Sequence, residues 1–317
     1  MSVQINPVLG RELRERMRTG RAFVVVGVFL GMLTLTVYLV YQGSDTSGII
    51  EIDLSRQTRL GRDLFEWVLF VMLLLVLFFV PGLGAGSIAG ERERQTLLPL
   101  QVTLLRPRSI LLGKVLASMS FLMLLIVASL PVMVVAYLLG GIRLIDGAKG
   151  LGIIALIALL LTTMIVALST LTKRVQTATL AAYGFSAVLC LIGPIAYFTM
   201  AVADGSRGDD VQNPPAVLLA MNPLAIVADA TSGQNVSEGG NPLRETRKAL
   251  FEAKSNNDDS WIAWFPADDF AADFRIIDGE RTGMPAWLVG SLMLGVLASL
   301  LSVVAIRRLR TPAESER

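Results

Sequence analysis

Long unbroken apolar runs, not alternation or narrow stripes, dominate the pattern of this chain. They fall near residues 23–41, 65–83, 115–139, 151–171, 177–200 and 285–306. Each comes close to the roughly 20 residues needed to cross about 30 Å of hydrocarbon. The pattern therefore predicts an all-α polytopic membrane protein, a bundle of six transmembrane helices. Pro131 inside the third run predicts a kink, with the freed carbonyl satisfied by neighbours. Gly82, Gly86 and Gly90 recur at spacing four near the end of the second. That spacing suits close helix contact, and equally a chain leaving the membrane.

The polar connections are unequal. Over residues 6–21, Leu9, Leu13 and Met17 form one stripe, while Arg11, Arg14 and Arg18 gather opposite with Glu12 and Glu15 beside them. This predicts an amphipathic helix in the membrane interface; a plain basic flank that sets topology is the alternative. Residues 42–62 form a polar loop, in which Arg56, Arg59 and Arg62 stand against Asp45, Glu51, Asp53 and nearby Asp63. Residues 86–114 interleave Glu91, Arg92, Glu93, Arg94, Arg106, Arg108 and Lys114 with Leu97, Leu98, Leu100, Val102, Leu104 and Leu105. This segment is too apolar for a solvated loop and fits a short amphipathic helix against a membrane or a partner. Arg143, Asp146 and Lys149 mark a short loop before the fourth run, and Lys173 and Arg174 a tight basic turn after it. Residues 202–284 form one large polar region, with fourteen acidic residues against seven basic. Arg307, Arg308 and Arg310 follow the last run.

Basic residues thus concentrate in the first flank, the 91–114 connection, the 173–174 turn and the tail, all of which fall on one side of a six-span chain. The positive-inside rule makes that side cytoplasmic and puts the acidic region outside. The expected layout is an interfacial helix over 1–22, spans 1–5 over 23–201 with the 84–114 segment among them, an extracytoplasmic region over 202–284, a sixth span over 285–306 and a tail over 307–317. Both termini face the cytoplasm of a cell-membrane protein.

Composition agrees: 53% of the 317 residues are hydrophobic and 17% charged, and the mean hydropathy is +0.62. The absence of histidine removes its acid–base, proton-relay and metal-ligand roles. The one cysteine, Cys190, lies in an apolar run and reads as a small buried residue. No cleavable signal peptide is expected, because the polar arginine-rich start precedes a run of spanning length. The middles of the six runs hold no charge, and Glu66, at the outer end of the second, comes nearest. A proton- or sodium-coupled pump needs such groups. No G-x-x-x-x-G-K-Ser/Thr phosphate loop occurs. This chain is therefore not expected to bind or hydrolyse ATP, and its energy is expected to come from outside the membrane.

Gly90-Glu91-Arg92-Glu93, Thr96-Leu97 and Ile110 to Lys114 match as they stand a pattern close to G-E-R-E-x-G-T-L-E-L-L-L-x-T-P-L-S-R-R-E-I-x-L-G-K. That pattern recurs between the second and third spans of ABC transporter permeases of the exporter-like second type (ABC-2), which this chain resembles. Leu98 and Leu104 replace the usual acidic residue and proline, and Pro99 is an intrusion. The basic turn at Lys173 and Arg174, and Asn222-Pro223-Leu224 after the fifth span, are similar to the family too. The resemblance implies a permease subunit forming half of an ATP-driven export pathway by alternating access. It also implies a coupling helix within 84–114 and an elbow helix carrying Arg11, Arg14 and Arg18. A separate ATP-binding subunit on the cytoplasmic face would hold the ATP and Mg, with no cofactor in this chain. Glu91, Arg92, Glu93, Arg94, Arg106, Arg108, Lys173 and Arg174 become candidate coupling residues, by charge-assisted hydrogen bonds. A second permease half is implied, as a homodimer or a pair with a similar chain. A non-transporting anchor that holds an ATPase at the membrane is the alternative; an intramembrane enzyme has no evident chemistry here, and no nucleic-acid partner is expected. The stretch from Trp261 to Phe274 interleaves aromatics with acids and suits a lid, a partner dock, an interfacial helix or packing onto its own bundle. Asn235-Val236-Ser237 fits a glycosylation sequon relevant only in a eukaryotic secretory pathway.

Overall fold

A computed structural model describes residues 20–43, 54–95, 107–205, 217–231, 241–255 and 286–310. The expected elbow helix with Arg11, Arg14 and Arg18, the 96–106 stretch with Arg106, the sequon and the 261–274 segment lie outside them. Among the described residues there is no strand. The helices are α1 (Gly20–Gly43), α2 (Leu54–Gly84), α3 (Gly86–Glu93), α4 (Pro107–Ala128), α5 (Leu130–Leu138), α6 (Leu144–Ser169), α7 (Val175–Gly205), α8 (Val217–Ala220), α9 (Pro223–Ala230), α10 (Pro242–Ser255) and α11 (Ala286–Arg310). Among the described residues, six stretches are long and apolar enough to cross a membrane: Phe23–Gly43, Gln57–Glu93, Pro107–Leu138, Leu144–Ser169, Val175–Met200 and Ala286–Leu309. In hydrocarbon the backbone has no water to bond, so apolar runs of this length become helices.

α6 is the central post. Ile154, Ile157, Ala158, Leu161, Met164 and Ile165 along it are fully buried against α2, α4 and α11. α1 packs on α2 through Phe29, whose ring lies 6.5 Å from that of Phe79, and through Leu33, and turns Phe23, Val24, Val28, Met32, Leu35 and Leu39 outward. These contacts define two ends of the bundle. One carries α3 and the α6–α7 turn; the other carries the start of α2, the α5–α6 turn, α9 and α10.

Several spans exceed their apolar runs. α2 begins at Leu54, because its polar first turns pack on the α5–α6 turn. A Cβ on Gly61 would lie 2.9 Å from Ala136 O and Gly141 N, and one on Gly141 would fall 2.2 Å from Arg62 N. Glycine alone permits that approach. α6 begins at Leu144, with Asp146 accepting from Arg143 N at 3.2 Å and pairing with the Arg143 guanidinium at 3.1 Å, so the expected loop is short and Lys149 is already helical. The third span breaks at Ser129, whose Oγ donates to Ile126 O at 2.6 Å, and Pro131 sits in the first turn of α5.

Within the region after the fifth span, residues 217–220 and 223–230 are helical, and α9 lies among α11, α10, α6 and α2. Pro223 and the four residues from Ala225 to Ala228 are buried. Pro194 inside α7 lacks an N–H and so leaves Cys190 O without its helical partner. Asn222 Nδ2 donates to that carbonyl at 3.0 Å, while its Oδ1 accepts from Leu224 N at 2.9 Å and caps α9. Asp229 Oδ2 in turn accepts from Trp287 N at 2.8 Å, at the start of α11.

Asn222→Ala is expected to destabilise the protein by about 1–3 kcal/mol, the usual result of stranding buried polar groups. In a Pro194→Ala background, where residue 194 regains its N–H, the same change is expected to lose about 1 kcal/mol less. Thermal unfolding in detergent across the four variants checks this; equal losses in both backgrounds contradict it.

Candidate functional site

α2 does not simply continue into α3. Ala85 keeps helical dihedrals (φ −59°, ψ −42°) but supplies no side-chain cap, so the first N–H groups of α3 need partners. Ser169, the last residue of α6, provides them. Its Oγ accepts from Ile88 N at 3.3 Å and Ala89 N at 3.0 Å and donates to Ala85 O. A hydroxyl has one proton and two lone pairs, so this serine is fully used. Ser87 Oγ closes the junction by donating to Gly84 O at 2.6 Å.

The charged residues that follow each reach a different element. Lys114 Nζ of α4 lies 2.6 Å from Glu91 Oε1, with Lys114 almost wholly buried. Arg92 Nη1 donates to Thr170 O at 3.1 Å and Thr172 O at 3.0 Å, where the end of α6 leaves carbonyls without helical partners. Glu93 Oε2 accepts from Val175 N at 2.9 Å, a carboxylate on the positive end of α7. On the inner side, Ile88 is fully buried in a cluster with Leu111 and Val115 of α4, Val166 and Ala167 of α6, and Ala305 and Leu309 of α11. The eight residues of α3 therefore touch α4, α6 and α7 and share a buried cluster with α11.

The glycine repeat serves this packing. Positions for a Cβ on Gly86 and Gly90 lie 3.6 Å from the Val175 methyls, and one on Gly82 lies 3.2 Å from the Tyr183 hydroxyl. The repeat thus faces α7, the contact role of the two readings. An open recess of about 350 Å³ remains between α3 and α7, lined by Gly90, Glu93, Arg94, Val175 and Gln176. Gln95, just past the end of α3, takes φ +60°.

Of the candidate coupling residues, Glu91, Arg92 and Glu93 are thus held by contacts within the chain. Arg94, Arg108, Lys173 and Arg174 are exposed at the same end. Lys114 and Ser169 had no role assigned from sequence: the lysine merely closes the motif, and a lone serine in an apolar run carries no signal. Among the described residues no group of three or more Cys, Asp or Glu could hold a metal ion.

Ser169→Ala removes partners from three backbone groups at once and is expected to destabilise the chain by on the order of 3 kcal/mol. Glu93→Gln, which keeps an acceptor at an exposed site, is expected to lose less than about 1 kcal/mol. Unfolding measured side by side checks the ranking, and a reversed order refutes the assigned roles.

Comparison with curated proteins gives no match. A family model described as ABC-2 family transporter protein matches residues 7–233. That span covers well over half of the chain, including five of the six apolar helices and α3 with all of its partners except α11. On this match, and on a bundle of six apolar helices with a charged junction after the second, the chain belongs to the ABC-2 family of transporter membrane proteins.

Proposed function

We propose that the chain is the permease subunit of an ATP-driven exporter. It forms half of the pathway and is driven by a separate ATP-binding subunit docked at the α3 end, which faces the cytoplasm together with both termini. The observation that carries this reading is the way α3 is held. A short helix clamped to α4, α6 and α7 by Glu91, Arg92 and Glu93, with Ile88 in one buried cluster with α11, is tied to three spans at once. Force applied there reaches most of the bundle, because packed interiors transmit displacement instead of absorbing it.

In this mechanism the two sets of charges divide the work. Glu91, Arg92 and Glu93 transmit. Arg94, Arg108, Lys173 and Arg174 meet the partner, whose facing surface is then acidic. Arg106 and the elbow residues Arg11, Arg14 and Arg18, outside the described residues, are assigned to the same partner by the family resemblance alone. ATP closure of two nucleotide-binding subunits draws the α3 helices of two permease halves together, and the bundles open on the opposite side. The second half is another copy or a similar permease, and the substrate passes between them.

Co-purification in mild detergent tests this. Wild type is expected to retain a subunit that hydrolyses ATP, and a four-site charge reversal (Arg94→Glu, Arg108→Glu, Lys173→Glu, Arg174→Glu) to reduce its recovery by about tenfold or more. Glu91→Gln paired with Lys114→Met is expected to keep the subunit bound while its ATPase rate no longer responds to the permease. Recovery of no ATPase with wild type, or full recovery with the reversed surface, overturns the reading. Binding and hydrolysis without any transport in reconstituted vesicles points instead to a membrane anchor.

A further inference from the structure

The bundle's other end holds a second charged constellation. Glu66 lies within α2 and is 1% exposed, although it stands in an otherwise apolar stretch. α10 brings Arg244 and Arg247 onto it, each 3% exposed. Arg244 Nε lies 2.6 Å from Glu66 Oε2, and Arg247 Nη1 lies 3.5 Å from Glu66 Oε1. Arg62 Nε approaches the same Oε1 at 3.8 Å, and Arg244 Nη2 also pairs with Asp63 Oδ1. Arg247 Nε donates to Ala228 O at 3.0 Å, in the last turn of α9. Burial pushes the Arg247 guanidinium below its ordinary pKa, and the Glu66 charge beside it works the other way.

α10 meets the bundle along one face, where Leu243, Arg244, Arg247 and Leu250 are buried. Arg247 joins three elements in one side chain: its own helix, the Glu66 carboxylate of α2 and the carbonyl end of α9. A purely apolar face would hold α10 at least as firmly, since desolvation offsets most of what a buried ion pair contributes. The two kinds of seam differ when they part. Separated leucines stay exposed to water at a penalty, whereas separated arginines and carboxylates regain their hydration. The cluster also runs out to solvent, through the 39% exposed side chain of Asp63, which gives water an entry. Such a seam suits a contact that forms and breaks.

We propose that α10 is a releasable clamp: docked on Glu66 it holds α9 in the mouth of the bundle, and undocked it opens that end. The proposal rests on the export reading for the side on which the mouth lies and for the event that releases it. Its occupant is this chain's own α9, and Glu66 is its positioning residue.

The test uses the full permease with its ATP-binding subunit, reconstituted in nanodiscs, with Cys190→Ala and Ala228→Cys as the labelling background. Ala228 is fully buried under Arg247, and its backbone contact survives the change. A membrane-impermeant maleimide is expected to label the introduced thiol slowly at rest and about tenfold faster after ATP and vanadate, because labelling of a protected site follows the population of its open form. Glu66→Gln is expected to give the fast rate without nucleotide. Asp63→Asn, at the exposed rim where folding is safe, is expected to give an intermediate rate. A rate that ignores both substitutions overturns the clamp. So does one that ignores nucleotide while the bound subunit hydrolyses ATP, and in that case docking at α3 stands. Absence of any bound ATPase overturns the docking reading instead, and the Glu66 and Asp63 variants still decide the clamp.

Discussion

A helix that breaks inside an apolar bundle strands peptide groups that lipid cannot satisfy, and this chain breaks or bends its helices repeatedly. Three of these interruptions are met by a particular polar side chain. Ser169 crosses from α6 to seal the α2–α3 junction. Ser129 bonds the carbonyl of Ile126 at its own break, and Asn222 reaches Cys190 O beneath Pro194. Each of these residues is small or short, so it satisfies the backbone without forcing the helices apart. The irregular features that distinguish this bundle from six straight rods exist because these partners exist.

The same constraint explains where charge is found. Among the described residues the interior between the ends holds no charge, and the ionised groups buried in spans sit close to one end or the other. Lys114 and Glu91 pair where α4 meets α3, and Glu66 meets two arginines where α2 meets α10. Removing one member of such a pair leaves the other buried and uncompensated, which is why each cluster behaves as a unit and single truncations are severe. The exposed cations at the α3 end differ in kind. Arg94, Arg108 and Arg174 carry no such burden and are available to whatever approaches that face.

The spans were legible in the sequence because run length is a local property, and Leu- and Val-rich runs of this size have one outcome. The 90–94 motif was legible as important through its density of charge. Its partners were not. Nothing near Arg92 announces that it bonds two carbonyls almost eighty residues away, and Ser169 looks like any serine in a span. Glu66 stood out as the charge nearest a span middle, yet Arg244 and Arg247 read only as two basic residues in an acidic loop. Their pairing depends on α10 folding back over α9, a tertiary event. Helix ends were misplaced for a related reason. Residues 54–62 are polar enough to read as loop, and only the Gly61–Gly141 approach shows what holds them in a helix.

α2 runs between the two charged constellations. It runs without interruption from Leu54 to Gly84, 31 residues or roughly 46 Å, with Glu66 near one end and the Ser169-sealed junction at the other. Pro81 is its one internal proline and lies within a turn of that junction, so the long segment between Glu66 and the proline is the stiff part. On the proposed reading, a displacement of α3 is delivered to Glu66 as a tilt or shift of a nearly rigid rod. A seam of ion pairs responds sharply to such a shift, since Arg244 pairs with two carboxylates on successive turns of the same helix and loses both contacts together. On the proposed reading, α2 makes the ATP-driven end and the releasing end parts of one lever, and coupling them needs no chain of side-chain rearrangements through the core.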